Sequence, residues 1–319
     1  MSWQLLAAVA AVATQMVTGA APAQEAVVPA VEALPDVDVL ELESERYRRM
    51  TVPVTIGTEG PFRFMLDTGA QATVVSRALA DRLALDDRKS AILVGMASRV
   101  PVETASIEDV GLGSRSFYIR NAPVVEGINI GGADGILGLD SLQDQRVLLD
   151  FVNEQIAIAD ADDLGGNRGY EIVVKARRRL GQLIITQARL DGIRVNVVVD
   201  SGAQSSIGNP ALQRRFRHSR HIGESELTDI NGAVMSGAVK VAERLEIGRA
   251  QLQNIAIMFA DSPTFHALNL SDEPTLILGM SELKLFRRVA IDFKTRRVLF
   301  DLPPQALIAG RGSISVFDR

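Results

Sequence analysis

The sequence predicts an all-β protein with a few short helices, arranged as two similar β-barrel-like lobes related by a pseudo-twofold axis. Three observations lead there. The chain repeats itself, its apolar residues alternate with polar ones over short runs, and turn residues separate those runs at close intervals.

The repeat is the firmest of the three. Phe64-Met65-Leu66-Asp67-Thr68-Gly69-Ala70-Gln71 returns 133 positions later as Val197-Val198-Val199-Asp200-Ser201-Gly202-Ala203-Gln204. Gly135-Ile136-Leu137-Gly138-Leu139 returns as Leu276-Ile277-Leu278-Gly279-Met280, and Leu148-Leu149-Asp150-Phe151 returns as Ala290-Ile291-Asp292-Phe293. The order is kept and the offset drifts by only nine residues, from 133 to 142, so the chain reads as a duplicated unit.

Taken from the N-terminus, Leu5 to Val17 is apolar but for Thr14, Gln15 and small residues, and Ala21-Pro22-Ala23 follows. This pattern predicts a secretory signal over 1–23, although no Lys or Arg precedes the apolar stretch. An uncleaved N-terminal anchor is the alternative. Either way the remainder is expected to be periplasmic or secreted, with no membrane span after signal cleavage. A Pro-containing segment occupies 24–44. The first lobe is expected over 45–160 and the second over 170–302. The acidic, Gly-rich stretch 161–169 suits an exposed linker, and a tail over 303–319 begins at Pro303-Pro304.

Within the first lobe Val52, Val54 and Ile56 alternate with Thr51, Pro53 and Thr55. Glu59-Gly60 and Asp191-Gly192 are expected to turn the chain into the strands that reach Asp67 and Asp200. Short helices are expected after each Asp: one over Ser76 to Leu85, and one capped by Asn209 with Pro210 at its first position.

The composition excludes several functions. There is no Cys, so disulfides, thiolate metal sites, a Cys nucleophile and a lipidated Cys are ruled out. A net charge of −5 offers no electrostatic footprint for nucleic acid. No metal-ligand spacing and no phosphate loop occur. Arg214, Arg215 and Arg217 run into His218, Arg220 and His221, which reads as a solvated helix end, with an anionic partner as the alternative. Arg177-Arg178-Arg179 reads as an exposed strand or turn. Asp150 and Asp292 read as structural strand ends.

The chemistry concentrates on Asp67 and Asp200. Each ends a strand apolar enough to be buried, and Gly69 and Gly202 permit close approach to the carboxylate. Thr68 and Ser201 supply hydroxyls able to brace the opposite loop. Two carboxylates brought face to face share one proton. One then acts as general base on a water while the other donates to a carbonyl oxygen.

These residues resemble the pepsin/retropepsin superfamily of aspartic proteases, and in particular its bacterial single-chain, two-lobe, retropepsin-like members. The matching elements are Asp67-Thr68-Gly69-Ala70, Asp200-Ser201-Gly202-Ala203, Ile136-Leu137-Gly138 and Ile277-Leu278-Gly279. The resemblance implies the acid-protease fold, a catalytic pair Asp67/Asp200, and the other matching residues as supports of the two catalytic loops. It also implies an endopeptidase acting on polypeptides with no cofactor and no metal. Because the unit is duplicated, activity as a monomer is expected. A non-catalytic peptide-binding protein of the same fold is the alternative. The family's substrate flaps are expected at Gly95-Met96 and at Asn231-Gly232. Ala70 and Ala203 stand where pepsin-like enzymes carry a hydroxyl donor, so raised carboxyl pKa values and a mildly acidic or near-neutral optimum are expected.

Overall fold

A computed structural model of the chain describes residues 50–216 and 220–303 throughout. Beyond these it describes only short strands, at Gln4–Leu6, Ala10–Ala11, Asp38–Glu41, Glu43–Ser44 and Ser313–Val316. The expected signal over 1–23 therefore lies, apart from two of these strands, outside the described residues, as does His218.

Alternating burial explains the strands. Over Met50–Ile56 the side chains of Val52, Val54 and Ile56 are buried while Pro53 and Thr55 are exposed. The strands that reach the two Asp residues lose this alternation at their ends: Phe64, Met65 and Leu66 are all buried, as are Val197, Val198 and Val199. Such strands are covered on both faces. The turn before the first of them sits at Gly57-Thr58, and Glu59-Gly60 already belong to the strand Glu59–Leu66, which corrects the expectation. Gly57 takes the left-handed backbone conformation there, at φ +57°.

Two sheets carry the repeated motifs. In the nine-stranded one, Gly135–Leu137 lies between Glu59–Leu66, to which it is parallel, and Val74–Ser76, to which it is antiparallel. In the ten-stranded one, Thr275–Leu278 lies in the same way between Ile193–Val199 and Ser206–Gly208. Each sheet folds back on itself through an extra pairing, Met50–Ile56 with Arg99–Leu112 in the first and Gln182–Leu190 with Val234–Ile247 in the second.

A third sheet of six strands draws on both halves of the sequence. Its order is Ile172–Lys175, Arg297–Asp301, Arg288–Asp292, Arg146–Asp150, Gln155–Ala159 and Asp38–Glu41. The repeat alone does not reveal this sheet, because its central pair joins strands 140 positions apart (Leu149 opposite Val289). Arg146, buried, bonds Asp292 at 2.8 Å across that pair, and its guanidinium also reaches Gly166 and Asn167 of the linker. Asp150 accepts the amides of Val152 and Asn153, so both strand-end Asp residues do structural work.

The helices are short: the first, expected over Ser76 to Leu85, spans only Arg77–Arg82, and the cap expected at Asn209 is present. Ser76 accepts the amide of Leu79 at the start of Arg77–Arg82, and Asn209 accepts the amide of Leu212 at the start of Pro210–Arg215. None among the described residues is long and apolar enough to cross a membrane.

Candidate active site

Asp67 and Asp200 each follow the last residue of a buried strand, and the strand-end register sets their position. The amide of Asp67 donates to the carbonyl of Leu137, and that of Asp200 to Leu278. The apolar-Gly elements at Ile136-Leu137-Gly138 and Ile277-Leu278-Gly279 thus hold the two loops from beneath. Gly138 and Gly279 have no room for a side chain, since a Cβ there would overlap backbone atoms of 72–73 and 203–205 respectively.

The tertiary fold brings the two loops together. A Cβ built on Gly69 would overlap the Asp200 carboxylate, and one built on Gly202 would overlap that of Asp67. The loops are also tied reciprocally. The amide of Thr68 donates to Ser201 Oγ at 3.0 Å and that of Ser201 to Thr68 Oγ1 at 3.1 Å. The same two hydroxyls donate to the carbonyls of Val199 and Leu66. Each hydroxyl therefore both accepts and donates across the junction.

The two carboxylates have matching partners. Asp67 Oδ1 accepts the amides of Gly69 at 2.7 Å and Ala70 at 2.9 Å, and Asp200 Oδ1 those of Gly202 at 2.8 Å and Ala203 at 3.0 Å. Both Oδ2 atoms are buried without a protein donor. The two carboxyl groups are close enough to influence each other's ionisation. Burial, and then the charge of Asp200, raise the pKa of Asp67 well above the usual carboxylate value. Burial raises that of Asp200 to about 6, against the lowering effect of the two amides. Desolvation is the largest cause in both, ahead of any effect of Ala70 and Ala203, which are themselves fully buried.

Each loop has a further buried brace that sequence reasoning missed. Six residues after each Asp stands a hydroxyl, Thr73 or Ser206, which accepts the amide of Gly138 or Gly279 at 3.1 Å. Thr73 in turn donates to Asp140 at 2.6 Å, and Ser206 donates to Glu282. Burial pushes the Glu282 carboxyl up to about 7. The matched hydroxyl six positions on from each Asp was the available signal. Gln182, fully buried, also reaches from the ten-stranded sheet to the carbonyl of Gly69.

The hairpins expected at Gly95-Met96 and Asn231-Gly232 are present. Lys89–Val94 turns through 95–98 into Arg99–Leu112, and Arg220–Asp229 turns through 230–233 into Val234–Ile247. Their turns touch: Asp229 accepts the amide of Ala97 and the hydroxyl of Ser98. Among the described residues no group of three His, Asp or Glu side chains converges in a way that would hold a metal ion.

Two family models match the chain. Residues 52–144 match "gag-polyprotein putative aspartyl protease", and residues 186–281 match "Aspartyl protease". Each match contains one Asp-Thr/Ser-Gly loop and its apolar-Gly element. No curated protein matches the chain. The chain belongs to the aspartic-protease superfamily.

Proposed function

We propose that the protein is a bacterial-type, two-lobe aspartic endopeptidase in which Asp67 and Asp200 act as one catalytic pair on extracytoplasmic proteins or peptides. The observation that carries this reading is the pair of buried carboxyl groups, each with Oδ1 saturated by two amides and Oδ2 unpaired. A structural Asp at a turn has no need of an unsatisfied buried oxygen, which costs about 1–3 kcal/mol when left so. A singly protonated pair supports general acid–base hydrolysis without a cofactor. The ionised carboxylate takes a proton from a water as that water attacks the scissile carbonyl. The protonated one donates to the carbonyl oxygen, and the tetrahedral intermediate collapses with a proton passing to the leaving nitrogen. The pair titrates as a unit, so base and acid are roles of the pair and not of either residue.

The hairpins at 95–98 and 230–233 serve as two flaps over an extended substrate in this reading, and the duplicated unit supplies both loops within one monomer. Hydrolysis of a peptide library by the parent, Asp67→Asn and Asp200→Asn tests it. Turnover in the parent that falls by at least about 10³-fold in either variant is expected. Equal, very low rates in all three would sink the enzymatic reading and favour a peptide-binding protein.

A further inference from the structure

The two flap tips are tied to each other and seated in the opposite halves of the molecule. The carboxylate of Asp229, fully buried, accepts four hydrogen bonds. Two come from its own turn, the amides of Asn231 at 2.9 Å and Ala233 at 3.0 Å. Two come from the other turn, the amide of Ala97 at 3.1 Å and the hydroxyl of Ser98 at 2.7 Å. Ser98 Oγ in turn accepts from Asn231 Nδ2 at 2.9 Å, so this one hydroxyl is satisfied wholly by the opposite tip. A Cβ at residue 95 would overlap the Asp229 carboxylate, and Gly95 is what lets the two turns approach.

The first turn is gripped from a second side as well. Ser262 and Thr264, at the start of the helix Pro263–Ala267, donate to the carbonyls of Met96 at 2.6 Å and Gly95 at 3.2 Å. The side chains follow the same exchange. Met96 is fully buried in an apolar cluster of the second half that includes Ala203, Ile207, Ile277 and Phe265. Ile230 is fully buried in a cluster of the first half that includes Ala70, Val74, Ile130 and Ile136. Ala70 and Ala203 are the residues whose amides hold the two carboxylates, so each tip belongs to the same apolar cluster as one of them.

We propose that this arrangement is a self-occluded state of the protein. Met96 and Ile230 plug the apolar space on either side of the carboxyl pair, and Asp229 with Ser98 is the latch that keeps both plugs in place. A charged acceptor surrounded by four donors makes a latch stronger than neutral turn-to-turn contacts would. A ligand enters only by withdrawing both plugs, which releases the latch bonds and the grip of Ser262 and Thr264 together. Entry therefore depends on opening at the tips. The consequence for turnover rests on the proteolytic reading above; the latch itself does not.

Amide hydrogen exchange on the full chain, in an Asp67→Asn background that removes self-digestion, tests the latch without reference to catalysis. Ser98→Ala leaves the hydrogen bonds of Asp229 to its own turn intact and removes the shared hydroxyl, while Asp229→Ala removes all four bonds to the carboxylate and leaves only the Asn231–Ser98 bond between the tips. Exchange at 95–98 and 229–233 is expected to accelerate by at least about tenfold in Asp229→Ala and by a smaller factor in Ser98→Ala. Segments 196–204 and 275–279 keep their protection in both. Unchanged exchange at the tips, or acceleration spread evenly over the chain, overturns the proposal. In the otherwise unaltered enzyme, Ser98→Ala is expected to raise kcat/KM on a short peptide. Faster exchange at the tips with no hydrolysis by any form removes the proteolytic reading and leaves the latch standing.

Discussion

Thr68 and Ser201 each accept the other's amide with a side-chain hydroxyl, at 3.1 and 3.0 Å. The hydroxyls then donate onward to Val199 and Leu66. Because both residues are buried, neither can exchange these partners for water. Thr68→Ala leaves the Ser201 amide and the Val199 carbonyl unpaired, and a loss of about 2–4 kcal/mol is expected from two such groups. Thr68→Ser is expected to recover most of it. Urea unfolding of the three proteins at one pH measures the difference, and an alanine variant as stable as the parent contradicts it.

The carboxyl pair sets a pH dependence of stability. With Asp200 near pKa 6 in the folded chain and 3.8 as its ordinary value, the folded state binds more protons between those limits. Stability then falls as pH rises through about 4 to 6, and the cost is absent below that window. Asn at 200 keeps an oxygen for the Gly202 and Ala203 amides and carries no charge. Asp200→Asn is expected to be more stable than the parent by about 2–3 kcal/mol at pH 7 and equal to it near pH 3. A difference that does not change with pH would speak against desolvation as the cause.

Turnover is expected to follow the singly protonated pair. Raised pKa values move that species away from strong acid, so the rate is expected to peak at mildly acidic to near-neutral pH and to fall on both sides. A profile of kcat/KM with full activity at pH 2 and none at pH 6 contradicts this.

Glu282 is a second buried acid with a separate consequence. Its pKa of about 7 lies above the ordinary 4.5, so stability again falls as pH rises, here through about 5 to 7. Glu282→Gln keeps a hydrogen-bonding partner for Ser206 and cannot ionise. A gain of about 2–3 kcal/mol at pH 8, vanishing near pH 4, is expected in chemical denaturation. No gain at pH 8 would mean that water reaches the carboxylate.

Much of this site was legible in the chain. The two Asp-Thr/Ser-Gly-Ala-Gln runs, the two apolar-Gly elements and the Asn231-Gly232 turn all carry signals in the sequence, whereas the tip at Gly95-Met96 was expected only from the family resemblance. An apolar run ending in a polar residue and an Asn-Gly turn are each visible within ten residues, and the repeat is visible by comparing such short runs along the chain. The six-stranded sheet was not legible, because Arg146–Asp150 and Arg288–Asp292 show nothing that says they pair with each other. Nor was the role of Glu282, which looks like any exposed Glu in a short helix until its burial is known. Met96 and Ile230 fall in the two segments expected as flaps, but nothing in the sequence says that each lodges in an apolar cluster of the opposite half.

By itself, then, the sequence determined that two equivalent loops exist, that each carries one Asp at the end of a buried strand, and that each is supported by an apolar-Gly element. Periodicity and repetition are local properties, and they survive in one dimension. Only the tertiary structure decided that the loops meet and exchange hydroxyls, that burial raises both carboxyl pKa values, and that each hairpin tip lodges in the opposite half. Those are contacts between segments more than a hundred residues apart. Desolvation depends on what surrounds a group from every side, and no stretch of neighbouring residues encodes it.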